Sequence, residues 1–238
     1  MNFNQATVFV TGTNRGIGRA LLGALKEKGV KRIYAAARRT EDLSDIAGDL
    51  NVPVKLDITD LEQVKAAAEQ AGDATVLINN AEVLTGGSLL DRPVEEISRN
   101  FETNFYGTLN MIRHFAPVIE RNGGGAIANV LTVVSLASMD GLGGYSAPKA
   151  AALSLTQSVR VDLKNKNITV HAVYPGPVDT DMAAEITLPK TSPTDVARAI
   201  IAGIESGAED IFPDPMSQQL SGLWATNPKE LERTFASM

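Results

Sequence analysis

Short apolar runs rich in β-branched residues alternate along this chain with longer stretches whose apolar residues return every three or four positions. The runs Ala6 to Val10, Arg32 to Ala37, Val52 to Leu56, Val76 to Ile78, Ala126 to Leu131, Thr169 to Tyr174 and Asp210 to Phe212 read as seven strands. Between them, helical periodicity predicts helices over Ile17 to Lys28, near Leu61 to Ala71, from about Val94 to Arg121, from about Tyr145 to Lys164 and near Thr194 to Glu205. In the first helix Ile17, Leu21, Leu22 and Leu25 share one face, and Gly29 ends it. Strand, helix and strand within about thirty residues form a βαβ unit, whose crossover is right-handed. The expected fold is therefore α/β, a doubly wound seven-stranded parallel sheet covered by helices on both faces. No repeat or long linker divides the 238 residues, so one domain spanning 1–238 is expected, with a loop-like then weakly helical tail over 215–238 that serves packing or subunit contact.

Charge and composition narrow the function. The 22 Lys and Arg stand against 28 Asp and Glu, and no basic run could neutralise a line of phosphates, so nucleic acid is not an expected partner. The absence of cysteine removes disulfides, thiolate zinc sites and a cysteine nucleophile, and two histidines, His114 and His171, give no basis for a His-rich metal centre. No leader pattern opens the chain and no apolar run reaches the roughly 18 residues of a membrane span, so a cytoplasmic protein with no membrane partner is expected.

Glycines cluster where the first strand turns into the first helix, in Thr11-Gly12-Thr13-Asn14-Arg15-Gly16-Ile17-Gly18. Gly12 permits the tight turn, Gly16 lets the backbone approach a pyrophosphate, and Gly18 allows helix and strand to pack closely. At the end of the second strand an NAD site places Asp or Glu against the ribose 2′-hydroxyl, but this chain reads Ala35-Ala36-Ala37-Arg38-Arg39. Arg38, together with Arg15, suits a 2′-phosphate and favours NADPH/NADP+ over NADH; the alternative is that both arginines are solvated surface charges. Tyr145 and Lys149 stand one helical turn apart on a shared face. A tyrosine of pKa about 10 is a poor acid or base at neutral pH, and a neighbouring ammonium brings it toward working range.

With these motifs the sequence resembles the short-chain dehydrogenase/reductase family over nearly its whole length. The resemblance rests on TGTNRGIG from Thr11 to Gly18, Asp57 in LDITD, Asn79-Asn80-Ala81 after the fourth strand, Asn104 in NFYGT, Tyr145-xxx-Lys149, and Pro175-Gly176 with Thr180 in PGPVDTDM. It implies a Rossmann-like domain that reduces carbonyls or oxidises alcohols with a nicotinamide cofactor. It further implies that Tyr145 protonates the carbonyl oxygen, that Lys149 holds the nicotinamide ribose and lowers the tyrosine pKa, and that Asn104 anchors a water in a proton relay. Gly12, Asn14, Arg15, Gly16, Ile17, Gly18, Arg38, Asp57, Asn79, Ala81, Pro175, Gly176 and Thr180, with Tyr145 and Lys149, are the expected cofactor contacts. Association as a dimer or tetramer through the helices carrying Asn104 and Tyr145 is implied as well.

Three positions depart from the family pattern. The substrate-binding serine thirteen residues before the tyrosine is replaced by Thr132, which keeps the hydroxyl but restricts χ1. Ser135 is the rival, though strand register places it further along the loop, where it suits a bond to local backbone. Glu82 stands where the motif has glycine, bringing bulk and negative charge near a cofactor that already carries phosphates. Pro148 lies one residue before Lys149, so either the helix starts close to Tyr145 or a carbonyl near Gly144 loses its partner. A short stretch between Met182 and Thr194 leaves an open pocket, and Leu84, Leu136, Met139, Leu142 and Met182 suit a small hydrophobic ketone or aldehyde. The expected activity is thus an NADPH-dependent carbonyl reductase. The competing readings are a 3-oxoacyl-thioester reductase, for which the net charge of −6 offers no basic patch, and a dinucleotide-binding sensor that has lost turnover.

Overall fold

The computed structural model describes all residues, 1–238. Seven strands, β1 (Thr7–Thr11), β2 (Arg32–Ala37), β3 (Asn51–Lys55), β4 (Val76–Asn79), β5 (Gly125–Val130), β6 (Ile168–Val173) and β7 (Asp210–Ile211), form one sheet. Its order is β3-β2-β1-β4-β5-β6-β7, and every pairing is parallel. Each expected strand is present, with ends displaced by a residue or so.

Alternation along β1 shows how the strands serve two layers. Val8 and Val10 point into a core of 26 buried residues shared with α1 (Gly16–Glu27) and α6 (Pro193–Ser206), where Leu21, Leu25, Val196, Ile200 and Ile204 meet them. Phe9 points the other way, into a core of 23 residues with α2 (Leu61–Gln70) and α4 (Thr108–Arg121), where it packs on Phe115 at 4.5 Å between ring centroids. Burial on both faces is why the strands read as continuous apolar runs rather than as alternating ones.

The stretch expected to be one helix from Val94 to Arg121 is interrupted. It divides into α3 (Val94–Phe101), a π-helical turn over Glu102–Gly107 and α4. A π-turn adds one residue to the helical circuit and re-aims a side chain; here the re-aimed residue is Asn104. Gly107 closes the turn against β3's following loop, since a Cβ there would lie 2.6 Å from Ile58.

The tail differs more from expectation. It forms two helices, α7 (Pro215–Thr226) and α8 (Pro228–Ala236), and buries Leu220, Leu231 and Phe235 in a third core with Tyr145, Tyr174 and Val134. Asp214 caps α7 by accepting from the Ser217 N–H at 2.9 Å, and its other oxygen accepts from the Gly176 N–H at 2.8 Å. That second bond fastens the tail beneath the loop after β6, so the segment packs on the domain.

Candidate active site

In a doubly wound sheet, ligands bind outside the carboxyl ends of the strands where the order reverses, here between β1 and β4. A cleft of about 1370 Å³ opens at that place. Gly12, Asn14, Arg15, Gly16, Ile17, Arg38, Asp57, Ala81, Glu82 and Thr180 line it, whereas Asn104, Thr132, Tyr145 and Lys149 do not.

The glycines meet three close approaches. Gly12 has φ +70°, and a Cβ there would lie 2.8 Å from the Ala81 Cα. Gly18 does not line the cleft; it faces the Gly12 carbonyl so closely that any Cβ would overlap it, which makes it the helix-to-strand packing glycine. Gly16, at φ +57°, leaves room beside Thr180, whose Cγ2 a Cβ would meet at 3.2 Å. The first turn of α1 carries no capping side chain, so its N–H groups are left for an anion. A dinucleotide pyrophosphate fits this cradle.

At the 2′ corner Arg38 is exposed and lines the cleft without an ion-pair partner, whereas Arg39 bonds Asp42 at 3.1 Å. Arg15 reaches Asp181 at 3.4 Å, an exposed pair of little strength. Asp57 accepts from the Thr59 N–H and hydroxyl, at 3.0 and 2.7 Å, which fixes its carboxylate at the cleft edge.

Asn79 sits differently from its expected place beside the nicotinamide. Its side chain is buried in the sheet and donates to Asn129 at 2.8 Å, and Asn129 donates to Thr156 of α5 at 2.9 Å. This chain of amides stitches β4 and β5 to α5 (Gly143–Asp162), the helix that carries Tyr145 and Lys149. Asn80 is the residue that lines the cleft. Its amide donates to the Thr11 and Gly12 carbonyls at 3.0 and 3.1 Å, holding the glycine turn. Thr11 supports it, accepting from the Asn80 and Ala81 N–H groups at 2.9 Å each. Both roles had no signal in the sequence beyond the Asn-Asn pair itself.

Tyr145 and Lys149 are brought together on the first and second turns of α5, both buried. Pro148 lies inside this helix, which begins at Gly143, so the Gly144 carbonyl does lose its helical donor. Asn100 of α3 supplies the replacement, donating to that carbonyl at 3.0 Å. Lys149 Nζ donates to the Val130 carbonyl at 2.9 Å and lies 2.6 Å from a Glu82 carboxylate oxygen, to which the Tyr145 hydroxyl also donates at 2.8 Å. Burial pushes the Tyr145 pKa well above its ordinary value, and the Glu82 charge and hydrogen bond push it further. Lys149 is not among the causes acting on Tyr145, and its ammonium lies against Glu82.

Asn104 is buried at the π-turn. Its amide clamps the backbone of Val83, donating to the carbonyl at 2.8 Å and accepting from the N–H at 3.1 Å. Of the two candidate hydroxyls, Thr132 is partly exposed and accepts only a long bond from Val134, at 3.4 Å. Ser135 is buried and accepts from the Thr132 N–H at 3.1 Å, the local backbone bond expected of it. Pro175 and Gly176 do not line the cleft, and their backbone bonds Val133 and Asp214.

The short chain dehydrogenase family model matches residues 6–191. The chain belongs to the short-chain dehydrogenase family. Among curated family members, carbonyl reductase [NADPH] 2 of Sus scrofa is 34% identical over 190 residues, covering 79% of this chain and 78% of that one. The probable oxidoreductase EphD of Mycobacterium tuberculosis is 31% identical over 192 residues, and the match spans only 32% of its length. Among solved short-chain dehydrogenases, one from Burkholderia cenocepacia, in complex with NADP, superimposes with a TM-score of 0.94 at 38% identity, covering 99% of both chains. The fold is thus the family's Rossmann-like domain, the chain is an oxidoreductase by family, and its cofactor is a nicotinamide dinucleotide. No helix is long and apolar enough to cross a membrane.

Proposed function

We propose that this short-chain dehydrogenase is an NADPH-dependent reductase of small hydrophobic ketones and aldehydes. The observation that carries the reading is a buried Tyr145 hydroxyl and Lys149 ammonium held on Glu82, a residue that lines the same cleft as an uncapped glycine cradle and an unpaired Arg38. Gly12, Asn14, Arg15, Gly16, Ile17, Arg38, Asp57, Ala81 and Thr180 would hold the dinucleotide, with Arg38 and Arg15 at the 2′-phosphate. The cofactor supplies the hydride when bound. Tyr145 supplies the proton to the carbonyl oxygen, and Thr132 is the hydroxyl that orients that oxygen, since Ser135 is already engaged by backbone. Lys149 holds hydroxyls near Tyr145 once it leaves Glu82.

Beside the cleft lies a smaller cavity of about 350 Å³, lined by Leu84, Leu142, Met182 and Ile186 together with Arg92 and Glu185. Its apolar wall favours a small hydrophobic carbonyl. Leu136 and Met139 do not line this cavity; like Leu84 and Leu142 they pack against the core that includes the tail. One observation favours a second reading, a chain that binds the dinucleotide without turnover: Glu82 engages both donors of the pair. NADPH consumption with a panel of aryl ketones, cyclic ketones, aldehydes and an acetoacetyl thioester, run beside NADH, separates the two. Turnover of apolar ketones or aldehydes with NADPH above NADH is expected; NADPH binding with no substrate reduced would overturn the reductase reading.

A further inference from the structure

Glu82 is the charged side chain that touches both donors of the Tyr145–Lys149 pair. It follows β4, and its backbone lies outside the left-handed region, so a side chain is accommodated at this position without strain. The next residue, Val83, is clamped at both its N–H and its carbonyl by Asn104. With the backbone fixed, the Glu82 carboxylate reaches across to α5, 2.8 Å from the Tyr145 hydroxyl and 2.6 Å from Lys149 Nζ. The Lys149 side chain is 3% exposed and that of Glu82 18%, so water and salt screen these contacts weakly.

We propose that Glu82 is a third working member of this acid–base group, a positioning residue whose carboxylate holds the proton on the Tyr145 hydroxyl, offsets the Lys149 ammonium and so sets the alkaline limit of proton donation. The proposal rests on the reading of Tyr145 as the proton donor. An ammonium alone beside a phenol favours the phenolate, whereas a carboxylate hydrogen-bonded to the hydroxyl favours the neutral phenol. Burial and Glu82 both act in that second direction on Tyr145.

The surroundings leave Glu82 as the carboxylate in contact. On α5 the facing charge is Lys149, whose Nζ lies 5.6 Å from the Tyr145 ring centroid. The turn Val133–Ser135 brings apolar side chains and the Ser135 hydroxyl, which bonds backbone. From α3 and the π-turn come the amides of Asn100 and Asn104, both bonded to backbone; Glu96 there pairs with Arg92, and Glu102 is exposed. In the core shared with the tail the one other titratable group is Tyr174, whose hydroxyl donates to Asp210 at 3.0 Å. Reduction would then persist to higher pH than in the same chain with a neutral residue at position 82.

Glu82→Gln keeps the shape and removes the charge. Two measurements test it: tyrosinate absorbance of the cofactor-free chain against pH, with Tyr145→Phe subtracted to isolate Tyr145, and the pH profile of kcat/KM for carbonyl reduction. Expected is tyrosinate at lower pH in Glu82→Gln than in the wild type, and an alkaline fall-off in reduction displaced in the same direction. Glu82→Gly gives the same displacement and replaces the glutamine chain where that does not fold. Identical titration of Tyr145 with and without the carboxylate overturns the proposal. A displaced titration in a chain that reduces no carbonyl would leave the Glu82 assignment standing and sink the reductase reading, because the first measurement needs no turnover.

Discussion

Asn100 answers a defect that Pro148 creates, and the pair gives a measurable coupling. In an unbroken helix the N–H of residue 148 would donate to the Gly144 carbonyl; proline has none, and Asn100 donates there at 3.0 Å and to the Thr85 carbonyl at 3.3 Å. The Asn100 oxygen is buried without a partner, so the side chain acts through its donors alone. Asn100→Ala strips these bonds and leaves a buried carbonyl unsatisfied, a loss of about 1–3 kcal/mol. For a chain of this length that lowers the Tm by roughly 2–4 °C per kcal/mol. Restoring the helical donor with Pro148→Ala should reduce the cost of Asn100→Ala by about 1 kcal/mol, since the Gly144 carbonyl then has its own partner. Denaturant unfolding of the two single variants and the double variant measures the cycle. Equal cost of Asn100→Ala in both backgrounds would refute the argument that the amide stands in for the missing N–H. Because Tyr145 follows Gly144 directly, Asn100→Ala should also lower kcat more than it raises KM.

Arg38→Asp replaces attraction for a 2′-phosphate by repulsion at a position with no other ion pair, so the ratio of NADPH to NADH affinity should fall by tenfold or more, on the order of 1.4 kcal/mol; an unchanged ratio in fluorescence titrations would show Arg38 to be a solvated charge. His171 is 1% exposed, its Nδ1 2.6 Å from the Ala208 carbonyl and its Nε2 2.8 Å from the Thr169 hydroxyl. Burial is the main cause holding its pKa below the ordinary imidazole value. The unfolded chain therefore binds the proton first as pH falls, so this contribution to stability is present above the ordinary imidazole range, lost through it on acidification, and absent in His171→Gln. Unfolding curves with the same acid dependence in both chains would contradict it.

Much of the fold was legible because hydrophobic period reports burial directly. All seven strands and the helices over the two large cores follow from it, and the glycine turn announced the cleft. What escaped is instructive in physical terms. The π-turn at Glu102–Gly107 leaves the apolar periodicity nearly intact, so a single helix was the natural reading. The tail looked weak because α7 and α8 each bury only a few residues, and part of their hold comes from Asp214 bonding Gly176, 38 positions away. Asn79 and Asn80 are adjacent in sequence and point to opposite sides of a strand end, a distinction that register decides and motif matching does not. Glu82 stood out as a departure from pattern, yet only the three-dimensional arrangement shows its carboxylate between Tyr145 and Lys149.

In the proposed function Tyr145 donates the proton in a carbonyl reduction. The most direct measurement compares Tyr145→Phe with the wild type in two quantities, kcat for an apolar ketone and Kd for NADPH. The phenylalanine keeps the ring in the core around residue 145 and removes only the hydroxyl. The expected result is a loss in kcat of about 10²–10⁴-fold with NADPH affinity little changed. Full turnover in Tyr145→Phe, or a collapse of cofactor binding in place of turnover, would contradict it.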